Sequence, residues 1–242
     1  SSDVCSSDLD KKAPEAEIKY YVDGKEYNPL LPTNKNVTAK VFFEEEGSPV
    51  TVTNNSGSTE FEFASNGSFS FMFRDEAGNE GSITATVTKI DKVPPTGYIV
   101  YSHTGWTNKD VTATLVASDD MNDIIITNNP SNEYVFTENG TFTFQFMDSA
   151  GNTATADAVV TRIDKKAPVL SYYLSTEEIT PFSVYAFVTA DEEITIINNN
   201  GNASRQFNSN GEFTFIAKDR AGNESQITAT VNNISKETTP VV

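Results

Sequence analysis

The sequence predicts an all-β chain of three tandem antiparallel β-sandwich domains in an extended array, and three observations support this fold class. Thr, Asn and Ser are abundant beside 13 glycines and 10 prolines, and the apolar residues are mainly Phe, Tyr, Val and Ile, a composition that favours strands and turns. Short segments alternate apolar and polar residues, as half-buried strands do. The same series of signals also occurs three times along the 242 residues.

The repetition predicts the domain boundaries. A segment DKKAP or DKVPP opens each copy, and in each copy an Asn-Gly pair is followed by the segment AGN at one fixed spacing. We therefore predict repeats at residues 10–90, 91–163 and 164–234, with 235–242 beginning a further linker. Residues 1–9 are interpreted as a non-native leader, because DVCSSDL resembles a translated sequencing adapter, and a polar N-terminal segment is the alternative.

The strands within a repeat follow from the alternation. In the second repeat, the inward face of an early strand is predicted at Val111, Ala113 and Leu115, a central strand at Phe142, Phe144 and Phe146, and the last strand at Ala156, Ala158 and Val160. Equivalent residues occur in the other two repeats. An Asn pair that suits a turn lies between the early and the central strand, followed by one strand or two, so six or seven strands per repeat are expected.

At this level of detail the chain resembles a known family. WTNKDVTATL from Trp106, FTENGTFTFQFMDSAGN from Phe136 and RIDKKAP from Arg162 are similar to the bacterial immunoglobulin-like repeats of surface and secreted proteins. The resemblance covers nearly everything from Asp10 onward. It implies an immunoglobulin-like fold, an extracellular, cell-surface or cell-wall location, and a non-catalytic role as a stalk or spacer in adhesion. Two alternatives stay open: direct binding of a host protein or glycan, and service as accessory domains of a secreted polysaccharide-degrading enzyme.

Composition and charge exclude several classes of function. The formal net charge of −17 argues against nucleic acid as a partner, and apolar runs of a few residues are too short for membrane insertion. One histidine, His103, and one cysteine, Cys5, cannot supply a repeated His-based triad or thiolate metal centre. A domain this small also leaves little room for a catalytic cleft. We therefore predict no enzyme activity, no catalytic residue and no cofactor, with calcium considered below as the alternative and neighbouring repeats as the expected partners.

Two aromatic groups are candidates for recognition. His103 beside Trp106 could stack on a sugar, but the pair occurs in one repeat alone, so packing near a domain junction is the favoured interpretation. Tyr172 and Tyr173 could contact a ligand, and the alternative is that one faces the core while the other covers a sheet edge.

Acidic residues recur in the linker, after the early strand and in the turn before the last strand. Their oxygens could converge on calcium, which takes six to eight oxygen ligands; the candidates are Asp91, Asp119, Asp120, Asp148, Asp164, Asp191 and Asp219. Two features weigh against calcium: a single strand after the Asn pair would move the last hairpin to the opposite end, and a lysine follows each linker aspartate. The favoured role is structural, with Asp148 accepting hydrogen bonds from the turn backbone while Gly151 takes a positive φ.

Overall fold

The computed structural model describes residues 10–44, 49–120 and 123–235. The predicted leader at residues 1–9, with Cys5, and most of the final linker lie outside the described residues. The described residues form nineteen β-strands and two short 3₁₀ turns, and no helix among them is long and apolar enough to cross a membrane. The predicted all-β fold class is therefore confirmed.

The first repeat contains seven strands in two antiparallel sheets. The strands are β1 (Ala16–Val22), β2 (Lys25–Tyr27), β3 (Val37–Phe43), β4 (Thr51–Val52), β5 (Glu60–Phe63), β6 (Gly67–Arg74) and β7 (Glu80–Val87). One sheet has the order β2-β1-β3-β5 and the other β4-β6-β7. Strand β2 belongs to an insertion in which Asp23 and Gly24 turn the chain with φ of 49° and 76°, the positive values that a tight hairpin requires.

The second and third repeats each contain six strands within the described residues. They are β8 (Thr96–Tyr101), β9 (Val111–Ser118), β10 (Ile125–Ile126), β11 (Glu133–Phe136), β12 (Gly140–Met147) and β13 (Thr153–Val160), then β14 (Leu170–Leu174), β15 (Val184–Ala190), β16 (Thr195–Ile196), β17 (Ser204–Phe207), β18 (Gly211–Lys218) and β19 (Glu224–Val231).

The sheet orders identify the architecture. The orders are β11-β9-β8 and β10-β12-β13 in the second repeat, and β14-β15-β17 and β16-β18-β19 in the third. The first, second and fourth strands therefore form one sheet, and the third, fifth and sixth form the other. This is the arrangement of strands A, B and E against C, F and G in an immunoglobulin domain, and the described residues of these two repeats form no strand D. The fold is immunoglobulin-like.

The predicted inward faces form the cores. In the first repeat, Val37 and Ala39 of β3 pack with Phe71, Phe73 and Ala85 from the facing sheet. The intervening Met72 is 54% exposed, as the alternation predicts. The equivalent residues of the third repeat form a second cluster, which includes Val184, Ala186, Phe215 and Ala229. Each fully buried phenylalanine contributes about 1.5–3 kcal/mol relative to an exposed one.

The chain divides into two compact units. One comprises Ser1–Tyr98, Ala117–Pro130 and Phe144–Ala156, and the other Ile99–Val116, Ser131–Thr143 and Asp157–Val242. The first unit contains the first repeat and the second unit the third repeat. The division passes through the second repeat, so the predicted repeat boundaries stay a prediction.

The chain changes sheets at the Asn pair, and this corrects one expectation. A single strand, β11, follows the pair, yet Asn152 of the last turn still reaches the linker, where its Nδ2 donates to the carbonyl of Asp91 at 3.1 Å. Strand β10 runs antiparallel to β12 and β11 antiparallel to β9. Asp119 after β9 and Asp148 after β12 lie close together. Strands β10 and β11 therefore run in the same direction, and together they cross the domain once. The expectation that one strand would move the last hairpin to the opposite end is wrong.

Candidate functional site

Each linker aspartate of the second and third repeats is held from two sides. The backbone N–H of Asp91 donates to the carbonyl of Thr33 in the first repeat at 2.9 Å. Its own carbonyl accepts from Asn152 Nδ2 in the second repeat. Asp164 is held in the same way by the carbonyl of Thr107, at 2.9 Å, and by Asn223 Nδ2, also at 2.9 Å.

The aspartate of the turn before the last strand has the structural role that the sequence favours. Asp148 is fully buried, and its Oδ1 accepts from the backbone N–H of Asn152 at 2.9 Å. Its Oδ2 accepts from the Nδ2 of the same asparagine at 2.7 Å, while Gly151 has a φ of 94°. Asp148 therefore orients the side chain that reaches the linker. The same double contact joins Asp75 to Asn79 and Asp219 to Asn223.

These contacts also change the acidity of the turn aspartates. Burial alone would raise the pKa of Asp75 and of Asp219, because it disfavours the charged form. Hydrogen bonds from the asparagine side chain and from the backbone N–H groups of the turn outweigh burial, and they lower the pKa of both carboxyls. In the first and third repeats the turn is thus built around an ionised carboxylate.

Three carboxylates meet at the linker between the first and second repeats. One oxygen each from Asp91, Asp119 and Asp148 lies within 4.8 Å of the other two. The side chain of Asp91 is only 6% exposed, and its Oδ1 accepts from the backbone N–H of Val93 at 2.9 Å. Its Oδ2 is buried, and no hydrogen-bond donor in the described part of the chain contacts it.

The lysine after this linker aspartate makes its hydrogen bonds with the first repeat. The Nζ of Lys92 lies 2.7 Å from Asn36 Oδ1 and 2.8 Å from the carbonyl of Ala64, both in the first repeat. These two oxygens are the hydrogen-bond partners of the ammonium, and the expected charge offset by this lysine stays a prediction.

Asp120 lies beside this group but is not one of its three members. A side-chain hydrogen bond with Asp119 is the main cause that raises the pKa of Asp120. The negative charge of Asp91 and burial add to this effect. The raised pKa reflects the crowding of carboxylates at the linker.

The third repeat brings together a different set. One oxygen each from Asp164, Glu192 and Asp219 lies within 4.8 Å of the others. Glu192 takes the place predicted for Asp191, whose Oδ1 accepts from the backbone N–H of Val169 at 2.8 Å. Burial raises the pKa of Glu192, and the charges of Asp219, Asp164 and Asp191 raise it further. The run of three acidic residues, Asp191-Glu192-Glu193, was the sequence signal for an acidic residue at this place.

The first repeat shows less of this arrangement. Asn79 Nδ2 donates to the carbonyl of Asp10 at 3.2 Å, but Asp10 and Glu44 are both exposed. Glu45 and Glu46, which follow the early strand, lie outside the described residues.

Trp106 contacts the third repeat, whereas His103 is exposed. The Nε2 of His103 lies 3.3 Å from the carbonyl oxygen of Trp106. The Arg220 guanidinium carbon, in the third repeat, lies 3.7 Å from the centroid of the Trp106 ring, a cation–π contact. The adjoining cleft, lined by Tyr101, His103 and Arg162 among others, has a volume of about 210 Å³. Ligand pockets usually measure about 300–1,000 Å³.

The two neighbouring tyrosines of β14 have separate environments. The Tyr172 hydroxyl accepts from the backbone N–H of Thr230 in the last strand at 3.4 Å. Tyr173 is 55% exposed, and its ring lies 5.1 Å from that of Phe187. Tyr172 therefore links β14 to β19, and Tyr173 lies on the surface.

Comparison with known proteins gives structural matches to 18 chains among the solved structures. No protein-family model and no curated protein matches the chain. A crystal structure of the N-terminal eight immunoglobulin domains of Down Syndrome Cell Adhesion Molecule, isoform 1.30.30, aligns with a TM-score of 0.38 and 12% sequence identity. The alignment covers 91% of this chain and spans 37% of the length of that one.

Proposed function

We propose that this chain is a non-catalytic immunoglobulin-like segment of a bacterial cell-surface or secreted protein and acts as a spacer in adhesion. The observation that carries the proposal is that Asp91 and Asp164 are each hydrogen-bonded to both neighbouring repeats. In each case the backbone N–H donates to the preceding repeat, and the carbonyl accepts from an asparagine of the following repeat. A spacer has to keep its two ends at a set distance, so the linkers between its domains have to resist bending.

Further contacts support stiff joints. At the first linker, the backbone N–H of Asn34 donates to the carbonyl of Ala150 at 3.1 Å. At the second linker, Arg220 covers the ring of Trp106. Prolines follow both linker aspartates, as in Val93-Pro94-Pro95, and each proline fixes its own φ.

The acidic composition and the resemblance to bacterial surface repeats support the extracellular part of the proposal. A large net charge favours solubility and discourages association with like-charged surfaces. The neighbouring repeats are the partners that the proposal requires, and a host protein or glycan is the partner of the alternative function.

Small-angle scattering of the full chain tests the proposal. Strands of about eight residues at roughly 3.3 Å per residue make three sandwiches in line on the order of 100 Å long. The double variant Asn152→Ala/Asn223→Ala removes the side-chain hydrogen bond to the carbonyl of each linker aspartate. We therefore expect a broader distribution of interatomic distances in the scattering data than for the wild type. The control is Asn208→Ala, an exposed asparagine outside both linkers, which should scatter like the wild type. A compact globule in the wild type would contradict the spacer role.

A further inference from the structure

We propose that Asp91, Asp119 and Asp148 form a calcium site at the linker between the first and second repeats. Three separate segments supply these side chains: the linker, the loop after β9 and the turn between β12 and β13. Their oxygens lie within 4.8 Å of one another. Two of the three carboxylates are at least nine-tenths buried, since Asp91 is 6% exposed and Asp148 is fully buried.

The second observation is the unpartnered oxygen of Asp91. Its Oδ2 is buried, and no donor among the described residues bonds to it. Buried polar atoms in native structures nearly always have a partner, because losing water without replacement is costly. A cation bound by the three carboxylates would be the missing partner of Oδ2.

The local charge supports a cation. Three carboxylates repel one another at these distances, and the neighbouring ammonium of Lys92 binds Asn36 and Ala64 instead. Asp148 uses one hydrogen bond at each oxygen, which leaves a lone pair on each oxygen for a metal ion.

The ligand chemistry selects calcium. All three side-chain ligands are hard oxygen donors, and no His or Cys is in the group. Magnesium demands near-ideal octahedral geometry, whereas calcium accepts six to eight oxygens in flexible arrangements that waters can complete. Calcium would tie the linker to two loops of the second repeat, an effect that goes beyond the spacer role proposed above.

The carboxylate group of the third repeat is not included in the proposal. Asp164 Oδ1 accepts from the backbone N–H of Lys166, whose Nζ lies 3.8 Å from Asp191 Oδ2. Its charge also lowers the pKa of Glu192, so a cation of the chain already acts on this group.

Calorimetric titration of the full chain with calcium chloride, after removal of divalent ions with a chelator, tests the site. We expect a dissociation constant of about 10⁻⁴–10⁻³ M, as in extracellular modules. Asp91→Asn keeps the oxygen that accepts from Val93 but loses the charge, so this variant should bind one calcium ion fewer than the wild type. The matched control is Asp157→Asn on the surface of β13, which removes the same charge and should bind the wild-type number.

The melting temperature gives a second test. A calcium-dependent change in it is expected only if Asp91 binds the ion, and not if this aspartate has a purely structural role. In chelator, Asp91→Asn should melt at or above the wild type, because it relieves carboxylate repulsion. At saturating calcium the wild type should melt several degrees higher than in chelator, and the variant should not respond. If circular dichroism shows that Asp91→Asn is misfolded, Asp119→Asn takes its place. Equal numbers of bound ions in the wild type and the folded variant, or no binding by the wild type, would overturn the site, whereas the scattering result would stand.

Discussion

Single asparagine side chains make bonds that backbone groups usually make in a sheet. The Nδ2 of Asn139 donates to the carbonyl of Ile163 at 2.9 Å, and its Oδ1 accepts from the N–H of the same residue at 2.8 Å. Asn66 holds Ile90 in the same two ways, and Ile163 and Ile90 are both buried. The Asn of these two Asn-Gly pairs thus fixes the residue before a linker aspartate as well as opening a strand.

The turn aspartates should govern part of the acid sensitivity of the protein. Hydrogen bonds lower the pKa of Asp75 below 3.8, so the stability that its ionised form contributes is present above that pH and is lost as the pH falls through the folded-state pKa. We expect Asp75→Asn to be less stable than the wild type at pH 7. The difference in melting temperature should shrink when the measurement is repeated between pH 4 and pH 2.

Glu76→Gln is the matched control for this prediction, because Glu76 is an exposed acid in the same turn. Its difference from the wild type should not shrink in the same way. A constant difference for Asp75→Asn across this pH range would contradict the role given to its carboxylate. Both measurements belong in chelator, so that no metal ion contributes.

The apolar–polar alternation predicted which residues form the cores, whereas the acidic residues that meet at the linkers were predicted only in part. Phe71, Phe73 and Ala85 were predicted to face inward because a strand fixes the side of every second residue. No such period applies to the loop Asp191-Glu192-Glu193, so its inward member could not be predicted. The hydrogen bonds of Lys92 could not be predicted either, because its long side chain reaches Asn36, which is distant in sequence.

At the scale of strands, β4, β10 and β16 are each two residues long, and an asparagine continues the pairing of β4 and of β16. After β16, the Asn198 Nδ2 donates to the carbonyl of Thr214 at 2.7 Å, and its Oδ1 accepts from the N–H of Ile216 at 3.0 Å. The following Asn199 and Asn200 have φ of 50° and 53°, and the chain then enters the other sheet as β17. Asn54 makes the equivalent two bonds to Ser70 and Met72.

Asn198→Ala should therefore destabilise the third repeat. It removes both bonds and leaves a carbonyl and an N–H of β18 to water alone, so we expect a loss of about 1–3 kcal/mol in the free energy of unfolding. Urea unfolding followed by circular dichroism measures it. Asn208→Ala, at an exposed position, should stay within about 0.5 kcal/mol of the wild type. Equal stability of the two variants would show that the asparagine does not stabilise the crossing.

The crossing between sheets could not be predicted from the sequence. Strands β10 and β16 are two residues long and β11 and β17 are four, too short for a period of two to indicate a direction. The long strands β12 and β18 alternate over eight residues, and their faces were predicted correctly. Strands long enough to show several apolar–polar alternations could therefore be predicted, and the two- and four-residue strands could not.

At the scale of the whole chain, charge sets a general response to salt. A formal net charge of −17 makes the folded chain repel itself, and salt screens that repulsion. We expect the melting temperature in chelator to rise by about 2–5 °C between low salt and roughly 1 M sodium chloride. Potassium chloride should have the same effect, since screening does not depend on the cation. A falling melting temperature would contradict the dominance of self-repulsion.

The contact between Trp106 and Arg220 gives the second linker an intrinsic optical probe. Trp106 is the single tryptophan of the chain, it is half-buried, and its ring faces a guanidinium from the next repeat. Its emission therefore responds to separation of these two residues, while far-ultraviolet dichroism responds to loss of strands. Hinge opening at this linker can thus be distinguished from unfolding without attaching a dye.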